Sequence, residues 1–205
     1  MQKLLCRFIA ATTLIACSSA AMAAADGFFI HAKVGWAQSD YSNSNFDYMT
    51  ASSIHNDGLT FSPSLGYQLN PNFAFELTYL DWHTDVDNIA LSTNPEKVTS
   101  LRNGSVNNYS LDLSAKAMLP LDHGIGLFAK LGAAYVQSIK SGGLNNATLG
   151  ADYQNIYALR PITTLGVSYD VNETTALDLG ATHLYAGSGI QSADFTYIGL
   201  AHHFG

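Results

Sequence analysis

Leu59-Thr60-Phe61-Ser62-Pro63-Ser64-Leu65-Gly66-Tyr67-Gln68-Leu69 alternates along its whole length. Leu59, Phe61, Pro63, Leu65, Tyr67 and Leu69 share one parity, and Thr60, Ser62, Ser64, Gly66 and Gln68 the other. A period of two is that of a strand, whose successive side chains point to opposite faces. The bulky apolar groups therefore occupy one face and small or polar groups the other. The stretch reads as a strand of about ten residues or slightly more, bounded by the turn signal Asn70-Pro71-Asn72.

The same pattern recurs. Phe73, Phe75, Leu77 and Tyr79 oppose Ala74, Glu76 and Thr78; Tyr109, Leu111, Leu113, Ala115, Ala117 and Leu119 oppose Ser110, Asp112, Ser114, Lys116 and Met118. Ile125, Leu127, Ala129, Leu131, Ala133 and Tyr135 oppose Gly126, Phe128, Lys130, Gly132 and Ala134. Such runs number eight, at about 27–37, 57–69, 73–82, 107–119, 125–137, 155–169, 174–185 and 194–204. An even number of antiparallel strands is what closure into a barrel requires. The connections alternate in length: Asn70-Pro71-Asn72, Pro120–Gly124 and Asp170–Glu173 are tight, whereas 38–56, 83–106, 138–154 and 186–193 are long. Short turns at one rim and long loops at the other are the mark of an outer-membrane barrel. The expected fold is all-β, an eight-stranded antiparallel up-and-down transmembrane β-barrel. Pro63 and Pro161 fall inside strands, where each removes a ladder donor, and are expected at bulges or near the long-loop rim.

Composition agrees. Of 205 residues, 12% are charged, about half the ~25% usual in soluble domains. The hydrophobic fraction is 47% and the mean hydropathy only +0.08, so apolar and uncharged polar residues are finely mixed. After the N-terminus no apolar run reaches the ~18–20 residues of a spanning helix. A net charge of −7 without a basic cluster argues against nucleic acid as a partner.

Residues 1–23 read as a secretory signal peptide: Lys3 and Arg7 in a basic n-region, an apolar Phe8–Ala16, and the cleavage motif Ala21-Met22-Ala23. Residues 24–205 form the barrel domain. Cleavage leaves seven basic against sixteen acidic residues and removes Cys6 and Cys17, so the mature chain has no thiol chemistry. Leu14-Ile15-Ala16-Cys17 also fits a lipobox, which would instead place a lipidated cysteine at the N-terminus.

The bulky face would over-fill the interior of an eight-stranded barrel, whereas the Gly, Ala, Ser and Thr of the other face suit it. The apolar face is thus expected outward, against lipid. Aromatic residues punctuate it at both ends: Phe28, Tyr67, Phe73, Tyr169 and Phe204 near the short turns, and Trp36, Tyr79, Tyr109, Tyr135, Tyr157 and Tyr185 near the long loops. Two girdles around an aliphatic band suit amphipathic rings at headgroup depth. A secreted lipocalin-type barrel, its aromatics around a ligand pocket, would explain neither the loop alternation nor the C-terminus.

That C-terminus, Tyr197-Ile198-Gly199-Leu200-Ala201-His202-His203-Phe204, resembles the assembly signal of outer-membrane barrels, with Phe204 at the end, His202 in place of the usual aromatic two earlier, and Gly199 five earlier. Ala32-Lys33-Val34-Gly35-Trp36, Gly66-Tyr67-Gln68-Leu69-Asn70-Pro71 with Phe75-Glu76, Ala115-Lys116, Lys130-Leu131-Gly132, Gly166-Val167-Ser168-Tyr169 and Phe204-Gly205 follow one another as in the transmembrane domain of the OmpA family. The chain is similar to that domain over nearly its whole mature length. The resemblance implies outer-membrane lipids and lipopolysaccharide as surroundings, and periplasmic chaperones and the barrel-assembly machinery as partners. The family's peptidoglycan-binding domain has no counterpart before Gly205, so cell-wall tethering is not expected.

Lys33, Glu76, Lys116, Lys130 and Asp178 lie on the small-residue face three to five residues from the short-turn rim, with Asp112 and Arg160 higher. They are expected to form one lumen layer, because charge in a membrane strand must face inward and find a partner. Its bland reading is a structural ion-pair network. The resemblance adds a sharper one, a gate whose partners switch among Lys33, Glu76 and Lys116.

Other residues carry less. His202 and His203 are adjacent on a strand and point to opposite faces. His55 and His83 sit with Asp57, Asp81, Asp85 and Asp87 in expected loops; alternate carboxylates at Asp85 and Asp87 are weak divalent-cation ligands, and a solvated acidic loop accounts for them better. His183 is expected on the lipid face near the long-loop rim, but no serine lies two or four residues away to complete a lipid-A-processing site, and Ser188 falls in the loop. Tyr41, Phe46, Tyr48 and Tyr153, among small polar loop residues, suit contacts with a host or phage ligand. No catalytic, metal or cofactor site emerges. The expected role is a monomeric structural surface protein of the outer membrane with a side-chain-filled lumen; the alternatives are a low-conductance porin-like channel and an adhesin acting through its loops.

Overall fold

Each alternating run does become a strand. A computed structural model of the chain describes residues 26–42, 49–50, 53–91, 101–142 and 153–204. Its eight barrel strands are β1 (Gly27–Ser39), β2 (Asp57–Asn70), β3 (Phe73–Leu91), β4 (Leu101–Pro120), β5 (Ile125–Gly142), β6 (Tyr153–Asn172), β7 (Thr175–Leu184) and β8 (Ala193–Phe204). Each pairs antiparallel with its chain neighbours, and β1 pairs with β8 from Phe28↔Phe204 to Ser39↔Ala193, closing the ring. Closure gives every strand two neighbours and removes the free edges that hydrocarbon would not tolerate.

At one end, side chains help to fold the turns. Asn70 Oδ1 accepts the backbone N–H groups of Asn72 (2.9 Å) and Phe73 (3.0 Å), and Asn172 Oδ1 accepts that of Thr174 (3.0 Å). The register shifts at both places, between Gln68 and Asn70 and between Asp170 and Asn172. The β4–β5 turn instead places His123 (φ 63°) and Gly124 (φ 76°) in left-handed backbone.

The opposite rim is taller than the sequence pattern suggests. Strands β3 to β6 run for 18–20 residues, roughly twice the 9–11 needed to cross a bilayer. The expected loop 83–106 is therefore largely strand, from Val86↔Gly104 to Ala90↔Leu101, and 138–154 shrinks similarly. The expected strand ends at Trp82, but a ladder that has left the lipid tolerates charge on both faces and runs on past His83 and Asp85. Strands β7, β8 and β1 are shorter, of 10, 12 and 13 residues, so the wall is high on one side.

Both in-strand prolines mark irregularities. The β2–β3 pairing begins at Ser64↔Thr78, one residue from Pro63, and resumes only at His55↔Asp85 in the short segment Ser53–His55. Between these pairs side-chain hydroxyls bridge the seam: Ser62 donates to the Tyr79 carbonyl (2.7 Å) and Thr60 to the Asp81 carbonyl (2.6 Å). Pro161 adjoins the last β6–β7 pair, Ile162↔Leu184, and its carbonyl accepts the Tyr185 N–H at 3.2 Å.

The apolar face points outward, as expected. Nine girdle residues, Phe28, Trp36, Tyr67, Phe73, Tyr79, Tyr135, Tyr157, Tyr169 and Tyr185, are 41–59% exposed, and Tyr109 is half-buried on the same face. Phe28 and Tyr67 meet edge to face at one rim (5.0 Å), and Tyr135 stacks on Tyr157 at the other (6.1 Å). The interior departs from expectation. It is not simply small and polar: Phe29, Ala74, Met118 and Phe128 cluster towards the short turns, and Leu80, Trp82, Val136, Ile162, Leu184, Ile190 and Phe195 cluster towards the long loops. Close-packed interiors need large groups as well as small ones. Here glycines make room: a Cβ at Gly66 or Gly166 would collide with the rings of Phe29 and Phe128 respectively.

Candidate functional site

The charged side chains lie between these apolar clusters. Glu76 is fully buried and pairs with two lysines, Lys33 and Lys130, the latter at 2.5 Å. Lys116 pairs with Asp178 at 3.3 Å. All five residues expected in one layer are buried there. His31, which pattern reading passed over, joins the two halves: its Nδ1 lies 3.6 Å from Glu76 and its Nε2 3.6 Å from Asp178. Its signal was parity alone, two residues before Lys33 on the same face of β1.

Aromatic rings complete the layer. Lys116 Nζ sits 4.5 Å and Lys130 Nζ 5.4 Å from the centre of the Phe128 ring, and Lys33 Nζ 5.5 Å from that of Tyr197. Such faces help to offset the desolvation of buried ammonium groups.

Asp112 and Arg160 do not join the network. Asp112 is buried beside it but, among the described residues, enters no ion pair, and its Oδ1 has no hydrogen-bond partner. Arg160 lies higher, where a Cβ on Gly187 would collide with its guanidinium, and likewise has no carboxylate partner there. A switch between Lys33 and Lys116 at Glu76 would require breaking the Lys116–Asp178 pair as well.

The C-terminal motif divides between faces. His202 and Phe204 face outward with rings 5.0 Å apart, while Tyr197 and Gly199 face the lumen, Tyr197 being 2% exposed. His203 points the other way from His202 and stacks on Phe29. His183 is outward near the rim as expected, with an acid partner that sequence reasoning missed: its Nδ1 lies 2.7 Å from Asp194 Oδ1 on β8. Its ladder neighbours are Thr163 and Asp194, so no serine is beside it on either strand.

On the raised wall, His55 lies 3.6 Å from Asp87 and His83 3.8 Å from Asp85. Each acid thus faces its own histidine; among the described residues no three His, Cys, Asp or Glu side chains are grouped to hold a metal. Tyr41 is not available for contacts, being 4% exposed inside the mouth, where burial pushes its hydroxyl pKa up. Phe46, Tyr48 and the side chain of Tyr153 lie outside the described residues, as do residues 1–23.

The segment after β7 packs into the mouth above the layer. It turns back through paired backbone bonds between Gly187 and Ile190 (2.8 and 3.0 Å), and Ile190 is 1% exposed within the apolar cluster. Ser192 and Asp40 fasten it to β1: the Asp40 N–H donates to the Ser192 carbonyl (3.0 Å) and the Ser192 hydroxyl to the Asp40 carboxylate (2.5 Å).

Residues 23–188 match the family model described as OmpA-like transmembrane domain. An uncharacterized protein of Coxiella burnetii is 25% identical in an alignment of 198 residues covering 82% of this chain and 79% of that protein. Neisserial surface protein A has the same fold, with TM-score 0.56 and 18% identity over 87% of this chain and 97% of its own. The outer membrane protein OprG of Pseudomonas aeruginosa does too, with TM-score 0.54 and 10% identity over 90% and 100%.

Proposed function

Because the chain belongs to the OmpA-like transmembrane domain family, and with it to the cell outer membrane, we propose that it is a structural surface protein of that membrane whose lumen is closed to solutes by its own side chains. The observation that carries this reading is the stack of apolar cluster, ion-pair layer and apolar cluster along the barrel axis. A hydrated ion passing it must displace close-packed rings or break buried ion pairs, each a loss of several kcal/mol.

The short turns face the periplasm and the tall wall faces outward, with lipid and lipopolysaccharide around the apolar band. Chaperones and the barrel-assembly machinery deliver the chain, which acts as a monomer and not as an enzyme. Residues 1–23 are a signal peptide cleaved after Ala23; the intact mass of the mature protein tests this against lipidation at Cys17.

Planar-bilayer recording tests the closed lumen. Wild type should be silent, and regular single-channel steps would favour the porin-like alternative instead. Binding of host cells by the intact barrel, lost when residues 92–100 and 143–152 are shortened, would assign it an adhesive role.

A further inference from the structure

The lumen holds more polar groups than its ion pairs use. On the inner face of β4, Asn108, Ser110 and Asp112 follow one another at alternate positions, each at most 3% exposed. Both polar atoms of the Asn108 amide and one Asp112 oxygen lack a protein hydrogen-bond partner, and Ser138 pairs with Asn108 across the ladder. Buried polar groups left unpaired by protein are satisfied by water. A cavity of about 20 Å³ bordered by Asp112, Lys33 and Tyr197, whose hydroxyl is also unpartnered, has room for a water. Ser138 in turn faces the Tyr41 hydroxyl in the mouth. Below the layer, a second small cavity bordered by Asp178, Ser168, Asp170 and His203 leads towards the short turns.

We propose that these groups form a proton path through a barrel closed to solutes, with His31 as the relay between its two halves. This rests on the closed-lumen reading. Among the described residues, His31 alone lies within 4 Å of both carboxylates, Glu76 through Nδ1 and Asp178 through Nε2, each just beyond hydrogen-bond distance. Both gaps are 3.6 Å, and side-chain motion of about 0.5 Å brings either into hydrogen-bond range. A proton leaving the Asp178 carboxyl joins the lone pair on Nε2; the imidazolium then releases its Nδ1 proton to the Glu76 carboxylate. One proton has moved and the ring is neutral again in its other tautomer, which rotation resets. Glu76 then releases a proton to water in the cavity beside Lys33 and Asp112, which restores its carboxylate, and Ser110, Asn108 and Ser138 continue the path to the mouth. A hydrated alkali ion cannot follow, because the same file is walled by Val136, Ile162 and Phe195.

The test uses the mature full-length barrel refolded into phosphatidylcholine vesicles that hold a pH-sensitive dye, under a pH step with potassium and valinomycin clamping the voltage. Refolding is verified by heat-shifted gel mobility. Wild type should collapse the gradient several-fold faster than protein-free vesicles while retaining entrapped calcein and, without valinomycin, a potassium gradient. His31→Gln keeps size and hydrogen bonding but cannot pass a proton through the ring, and should return the rate to background. If that variant does not fold, Asp112→Asn carries the test and should also slow the flux. Wild-type flux at background, or His31→Gln as fast as wild type, would overturn the proton path and leave the closed lumen standing. Potassium leaking as fast as protons would overturn both.

Discussion

The imidazole of His31 occupies the space that a Cβ on Gly199 would need: an added methyl carbon there would collide with the ring. Lys33, not His31, stands opposite Gly199 in the β1–β8 register, so the ring leans along the strand to reach this gap. The glycine singled out as part of a C-terminal assembly signal thus also shapes the centre of the charge layer.

Gly199→Ala should therefore cost about 1–3 kcal/mol by overpacking, read as a lower urea midpoint for the barrel in vesicles. Adding His31→Ala should recover part of that loss, since the collision partner is gone. A double variant no better than the sum of its parts would disconnect the two positions.

Glu76 holds two lysines, and Asp178 one. Glu76→Gln leaves Lys33 and Lys130 facing each other without a counter-charge and should lose about 3–5 kcal/mol. Lys116→Met leaves only Asp178 unpaired, beside His31, and should lose less. Equal urea midpoints for the two variants would contradict this asymmetry. If Lys116→Ala conducts in planar bilayers where wild type is silent, the layer can act as a gate.

The two tryptophans report opposite faces. Trp36 is 53% exposed on the outer wall, where its indole donates to Asp57 at 3.0 Å, and Trp82 is 5% exposed inside. Brominated lipids should quench the Trp82→Phe variant, which retains Trp36, far more than the Trp36→Phe variant. Acrylamide should barely reach the latter.

Ile190 anchors the segment after β7 in the mouth. Ile190→Ala should destabilise the barrel by about 2–5 kcal/mol if the cavity does not collapse. The larger local effect should be faster amide exchange at Gly187 and Ile190, whose backbone groups bond each other. Unchanged protection there would mean that the turn holds without its anchor.

The fold was legible because its determinant is local. Period-two alternation fixes each strand's faces, loop lengths alternate along the chain, and charge is excluded from lipid, so together these show which side of Leu59 to Leu69 faces out. The inward direction of Lys33, Glu76, Lys116, Lys130 and Asp178 follows from the same rule. Strand ends were less legible: above the membrane, exposed charges such as Asp85 no longer signal that pairing has stopped. Partner choice across the lumen was not legible at all. Whether Glu76 meets Lys33 and Lys130 while Lys116 meets Asp178, and whether His31 falls between them, depends on the stagger of eight strands around a closed ring. That is a property of closure, set by all the registers together, and no single strand's sequence contains it. The rings of Phe29 and Phe128 share the inward parity of their strands, and only tertiary packing against Gly66 and Gly166 decides that they fit.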